Sequence, residues 1–103
     1  MYSLITAAST AKAYQLKNTL QNGHVLLGDH HDLPEVMVKA GKMLQLPDPA
    51  KEAYPHQMLA LCLDHEVDTL YILRSEEAIP LAESELLFDE YGIKLVFVDD
   101  QVQ

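Results

Sequence analysis

The chain has 103 residues, 49% of them hydrophobic, which is the size of one small domain with one ordinary core. Sixteen acidic residues stand against seven Lys and Arg, giving a formal charge of -9. A surface of that sign repels nucleic-acid phosphates and anionic membrane faces, so neither is expected as a partner. No apolar run approaches the roughly 18 residues of a spanning helix, and the N-terminus lacks the pattern of a secretory signal, so a cytoplasmic protein is expected. The single cysteine, Cys62, lies in the apolar run Met58-Leu59-Ala60-Leu61-Cys62-Leu63 and reads as a small buried residue.

Taken in chain order, Ser3 to Ala8 reads as a buried strand that runs directly into a helix. That helix spans Thr10 to Asn22, with Ala13, Leu16 and Leu20 at helical spacing before Gly23. His24 to Asp29 is a second short apolar strand, and Asp29-His30-His31-Asp32 forms its exit loop. Asp32 to Glu35 has the form of a capping box with Pro34 in the first turn, followed by Val36, Met37 and Ala40 on a short helix ended by Gly41. Met43 to Leu46 is a brief strand, and Pro47-Asp48-Pro49 opens a polar loop that lasts to about Tyr54.

Pro55 then starts a helix that carries Met58, Leu61, Cys62 and His65, and Thr69 to Leu73 follows as a strand. Arg74-Ser75-Glu76-Glu77 is its exit loop, with Ser75 expected as the cap of a single helix whose Ile79, Ala82 and Leu86 repeat along one face until Gly92. Pro80 is expected to be tolerated because it falls early. Lys94 to Val98 is the last strand. Five strands alternating with four helices predict one α/β domain over residues 1–103: three αβα layers, Rossmann-like, with a five-stranded parallel sheet in the order 3-2-1-4-5.

Ligands of such sheets bind beyond the carboxyl ends of the strands, where the order switches between strands 1 and 4. Ser9 and Thr10 sit in the first turn, where hydroxyl and N–H groups either meet a phosphate or carboxylate or simply cap the helix. The turn has no glycine, which argues against a dinucleotide because a pyrophosphate needs close backbone approach. Asp29 stands where a ribose-binding acid would stand, or where an ordinary loop acid would. The histidines beside it invite a metal reading, but adjacent residues seldom ligate one ion, and His24, His56 and His65 show no ligand spacing, so no metal is expected. Arg74, the sole arginine, is suited to an anionic ligand or to a salt bridge with Glu76, Glu77 or Asp99. No nucleophile triad or phosphate-binding loop is present, so nothing demands an enzyme.

The run Leu4-Ile5-Thr6-Ala7-Ala8-Ser9, the strand opening Gly23-His24-Val25, the strand Asp68-Thr69-Leu70-Tyr71-Ile72-Leu73 and the segment Ser75-Glu76-Glu77-Ala78-Ile79-Pro80-Leu81 together resemble one family. It is the Rossmann-like N-terminal domain that precedes the ATP-grasp fold in carboxylate-amine ligases, biotin carboxylase and carbamoyl-phosphate synthase. The resemblance covers nearly the whole chain. It implies a non-catalytic domain that binds or orients an acceptor substrate beside a separate ATP-grasp module, in cis or in trans. That module would supply the nucleotide lysines and magnesium carboxylates, so no cofactor is expected in this chain and no ATP hydrolysis by it alone. The sequence stops after the fifth strand, where that module would begin, and so reads as an excised domain or a free-standing relative.

On this reading Ser9, Thr10, Asp29, Arg74, Ser75 and Glu76 are the candidate substrate-binding residues. Two other readings remain open. One is a homodimeric assembly module using an exposed helix face or the outer strand Lys94 to Val98. The other is a mononucleotide or dinucleotide binder, disfavoured by the missing glycines.

Overall fold

A computed structural model describes residues 2–8, 10–20, 24–31, 33–41 and 43–98. The strands are β1 (Tyr2–Ile5), β2 (Val25–Asp29), β3 (Met43–Gln45), β4 (Val67–Ile72) and β5 (Lys94–Phe97). They form one parallel sheet in the order β3-β2-β1-β4-β5, as the alternation of elements predicts. The helices are α1 (Ala11–Thr19), α2 (Glu35–Lys39), α3 (Tyr54–Asp64), α4 (Ser75–Glu83) and α5 (Glu85–Glu90).

Apolar side chains alternate across the pleat, so each central strand feeds two cores. On one side Leu4, Leu70, Ile72 and Leu95 pack with Tyr54, Met58 and Cys62 of α3, Leu81 of α4 and Phe88 of α5. On the other, Ile5, Leu27, Met43 and Leu73 pack with Ala7, Ala8 and Ala13, joined by Leu16 and Leu20 of the α1 segment and Met37 of α2. The first two crossovers therefore cover one face and the last two the other, which makes the three layers. Cys62 is fully buried, and burial pushes its thiol up to about 12.

Several local expectations change. The first strand ends at Ile5 rather than Ala8, because Ala7 takes the left-handed conformation with φ 59. The chain nonetheless stays attached to the sheet, with the Thr6 N–H donating to Tyr71 O and the Ala8 N–H to Gly28 O. Helix α1 ends at Thr19, short of Asn22. Asn22, Gly23, Ser9 and the Asp32 of the expected capping box lie outside the described residues. Pro34, rather than a residue inside the first turn, takes the cap position of α2.

The expected single helix after β4 is two, broken at Ser84, so the helices among the described residues number five and not four. Ser75 is its first helical residue, and the cap is Arg74, whose extended backbone (φ -106, ψ 134) carries its side chain toward β2. The expected Ile79 and Leu86 stripe faces outward, at 68% and 74% exposure, because Leu81 and Phe88 occupy the core instead. Pro80 stands in the second turn of α4, so its tolerance is not explained by an early position.

Candidate functional site

The carboxyl ends of β1, β2 and β4 meet at one edge of the sheet, and each delivers polar residues there. Asp29, the last residue of β2, is fully buried. Arg74, just past β4, forks onto it: Nε donates to Oδ1 at 3.1 Å and Nη2 to Oδ2 at 2.8 Å. The hydrogen bond to Asp29 is the main cause that raises the Arg74 pKa, so the guanidinium is held charged. Sequence reasoning sought the partner of Arg74 at Glu76, Glu77 or Asp99. The fork instead joins residues 45 positions apart, while Asp99 lies outside the described residues. With its carboxylate taken by Arg74 and by the His31 N–H (3.2 Å to Oδ1), Asp29 fits neither a ribose acid nor a solvated loop residue.

Thr10 caps α1, its Oγ1 accepting from the Ala13 N–H at 3.3 Å and donating to Ala7 O at 2.8 Å. The first turn thus uses Thr10 as a structural cap. A cleft of about 170 Å³ opens beside it, lined by Ala7, Thr10, Lys12, Leu73, Arg74, Ser75 and Glu76. Four of the six candidate binding residues (Thr10, Arg74, Ser75 and Glu76) line it. Asp29 does not line it, and Ser9 lies outside the described residues. The starts of α1 and α4 both border the cleft, bringing two positive helix ends and the Lys12 and Arg74 cations to one place. Lys12 was missed from the sequence, although its place in the first turn of a helix entering the sheet edge was a usable signal. A larger groove of about 350 Å³ lies elsewhere, between α5 and the start of β5.

Two further groups went unrecognised in the sequence. Glu77, read as a loop acid, is fully buried on α4, and neither of its carboxylate oxygens has a hydrogen-bond partner in good geometry. Burial pushes its carboxyl up to about 7, opposed by the nearby Thr6 hydroxyl and helped by the Asp29 charge. The Tyr54 hydroxyl on α3 is likewise buried and unpartnered. Burial first, then Glu77, raises its pKa. The signal for Glu77 was its position four residues before Leu81, on the same helix face. Thr6 Oγ1 is also engaged, accepting the Leu73 N–H at 2.9 Å and so joining the ends of β1 and β4.

Beyond Asp29 the chain turns through His30 and His31, whose rings meet edge to face at 4.4 Å. His30 Nε2 lies 3.1 Å and His31 Nε2 3.8 Å from the same Glu76 Oε2. The Glu76 carboxyl is held below its ordinary value, first by its own backbone N–H and then by His30. The Gln45 side chain donates to both Asp29 O (3.1 Å) and His31 O (3.2 Å), fixing the loop from β3. No protein-family model matches the chain, and no curated protein matches it significantly.

Proposed function

We propose that the chain is a non-catalytic ligand-binding or accessory domain of the kind that precedes the ATP-grasp module in carboxylate-amine ligases. Its ligand on this reading is a small carboxylate such as an amino acid. The observation that carries the proposal is the cleft at the β1 and β4 switch point, where Lys12, Arg74 and the starts of α1 and α4 converge. Lys12 and the two helix starts bring positive charge and N–H donors to the cleft in an otherwise acidic chain, which suits a compact anion. The cleft is small, and the Ala7 methyl stands where a dinucleotide-binding turn has open backbone, so a pyrophosphate suits it poorly. The acidic surface supports neither nucleic acid nor anionic membrane as partner, and among the described residues no helix is long and apolar enough to cross a membrane.

Isothermal titration of the chain with amino acids, small mono- and dicarboxylates and ATP tests the reading. A carboxylate binding one to one, and weakened by Lys12→Ala, is the expected result. Absence of any carboxylate binding sinks it. Light scattering on the same samples addresses the second reading, a self-associating module, which the exposure of Phe97 on the edge strand β5 and of Leu86 on α5 favours. A monomer at high concentration removes that reading.

A further inference from the structure

We infer that His30, His31 and Glu76 form a site for one borderline transition-metal ion, of the zinc or cobalt class, on the rim of the switch-point cleft. The donor geometry is the first argument. Zinc bonds of about 2.0–2.1 Å set the donor atoms of a tetrahedral site about 3.3 Å apart. Glu76 Oε2 lies 3.1 Å from His30 Nε2 and 3.8 Å from His31 Nε2, on either side of that spacing. The two imidazoles also offer one nitrogen each within 4.8 Å of one another. Adjacent histidines ordinarily diverge. Here the turn after β2 sends both rings to one carboxylate from an element 46 residues away.

Rigidity is the second argument, because a metal site gains affinity when its ligands are already in place. The backbone of the two histidines is held by the Gln45 amide, bonded to Asp29 O and His31 O, and by the Asp29 carboxylate on the His31 N–H. The His30 side chain is 13% exposed, while those of His31 and Glu76 are about half exposed, so three protein donors would leave a position open to solvent.

Electrostatics decides which metal. Arg74 lies close by, but its fork onto Asp29 neutralises the pair, and the net charge of -9 favours cation approach. The start of α4 carries the positive helix end next to Glu76, which works against a cation held only by charge. Two imidazole nitrogens select zinc, cobalt, nickel or copper over magnesium or calcium, which prefer oxygen ligands. Asp29 itself is committed to Arg74 and acts as the group that fixes the loop, not as a ligand.

The test uses the full chain with Co2+ and Zn2+ as probes. Titration with Co2+ should give visible absorption bands that saturate at one ion per chain and are displaced by Zn2+, and Mg2+ should not compete. His30→Ala, Glu76→Gln and the exposed-site variant His31→Ala should each weaken Co2+ binding by more than about tenfold. His56→Ala and His65→Ala, at exposed histidines on α3 and its cap, should leave binding unchanged. Circular dichroism of each variant separates lost ligands from lost fold, and the exposure of His31 keeps that variant informative if His30→Ala unfolds. Absence of one-to-one binding, or binding that survives both His31→Ala and Glu76→Gln in folded protein, overturns the assignment.

Discussion

The burial of Glu77 couples the stability of the fold to pH between about 4.5 and 7. An ordinary glutamate titrates near 4.5, and inside α4 its carboxyl titrates near 7. Between those values the folded chain keeps a proton that the unfolded chain has lost, so the unfolded state binds fewer protons and stability falls as pH rises. The loss begins near pH 4.5, is complete above about pH 7, and amounts to at most about 3 kcal/mol. Glu77→Gln keeps the shape and cannot ionise. Urea unfolding at pH 5 and pH 8 should show the wild-type chain losing up to about 2.5 kcal/mol more than this variant across the interval. Equal pH dependence in the two proteins would mean that Glu77 ionises freely inside the fold.

Among elements, β2 shows how a strand is fitted to its neighbours by one small residue. A Cβ on Gly28 would stand 2.8 Å from Leu46 Cδ2 and 3.0 Å from the Leu44 carbonyl oxygen. The side chain can shift, but the carbonyl belongs to β3, so Gly28→Ala should push the β2 and β3 edges apart. A loss of about 1–3 kcal/mol in thermal or urea unfolding is expected, and a variant as stable as wild type would show that β3 moves without cost. Gly92 ends α5 for a different reason, since its φ of 76 is open to glycine at no steric cost.

The segment from Ser75 to Tyr91 shows where periodicity misleads. Ile79, Ala82 and Leu86 repeat at helical spacing, but Leu81 and Phe88 repeat at the same seven-residue interval on the opposite side of the helical path. Leu81 and Phe88 fill the core while Ile79 and Leu86 face solvent. Two apolar stripes of equal period compete in this segment, and spacing alone does not say which of them meets the sheet.

At the scale of the whole molecule, the sheet order was legible because alternating elements and right-handed crossovers leave few arrangements. The placement of Thr10, Arg74, Ser75 and Glu76 at one cleft followed from that order. The pairings of Asp29 with Arg74 and of the two histidines with Glu76 were not legible. Each joins residues about 45 positions apart, and sequence spacing carries no information on side-chain direction across strands.

The fork between Asp29 and Arg74 passes from the end of β2 to the end of β4 across the end of β1, which lies between them. Arg74→Ala strands a fully buried carboxylate and should cost about 3 kcal/mol in equilibrium unfolding, the lower end for a buried pair because the arginine side chain is 16% exposed. A change of a few tenths of a kcal/mol would mean that water reaches Asp29. The fork needs three strands in register before its two ends can meet, so it belongs to the contacts completed late on the folding path. Stopped-flow measurement should therefore place most of the loss in a faster unfolding rate with refolding nearly unchanged. In kinetic terms the pair is a clasp: it sets how long the two halves of the sheet stay together more than how fast they find each other.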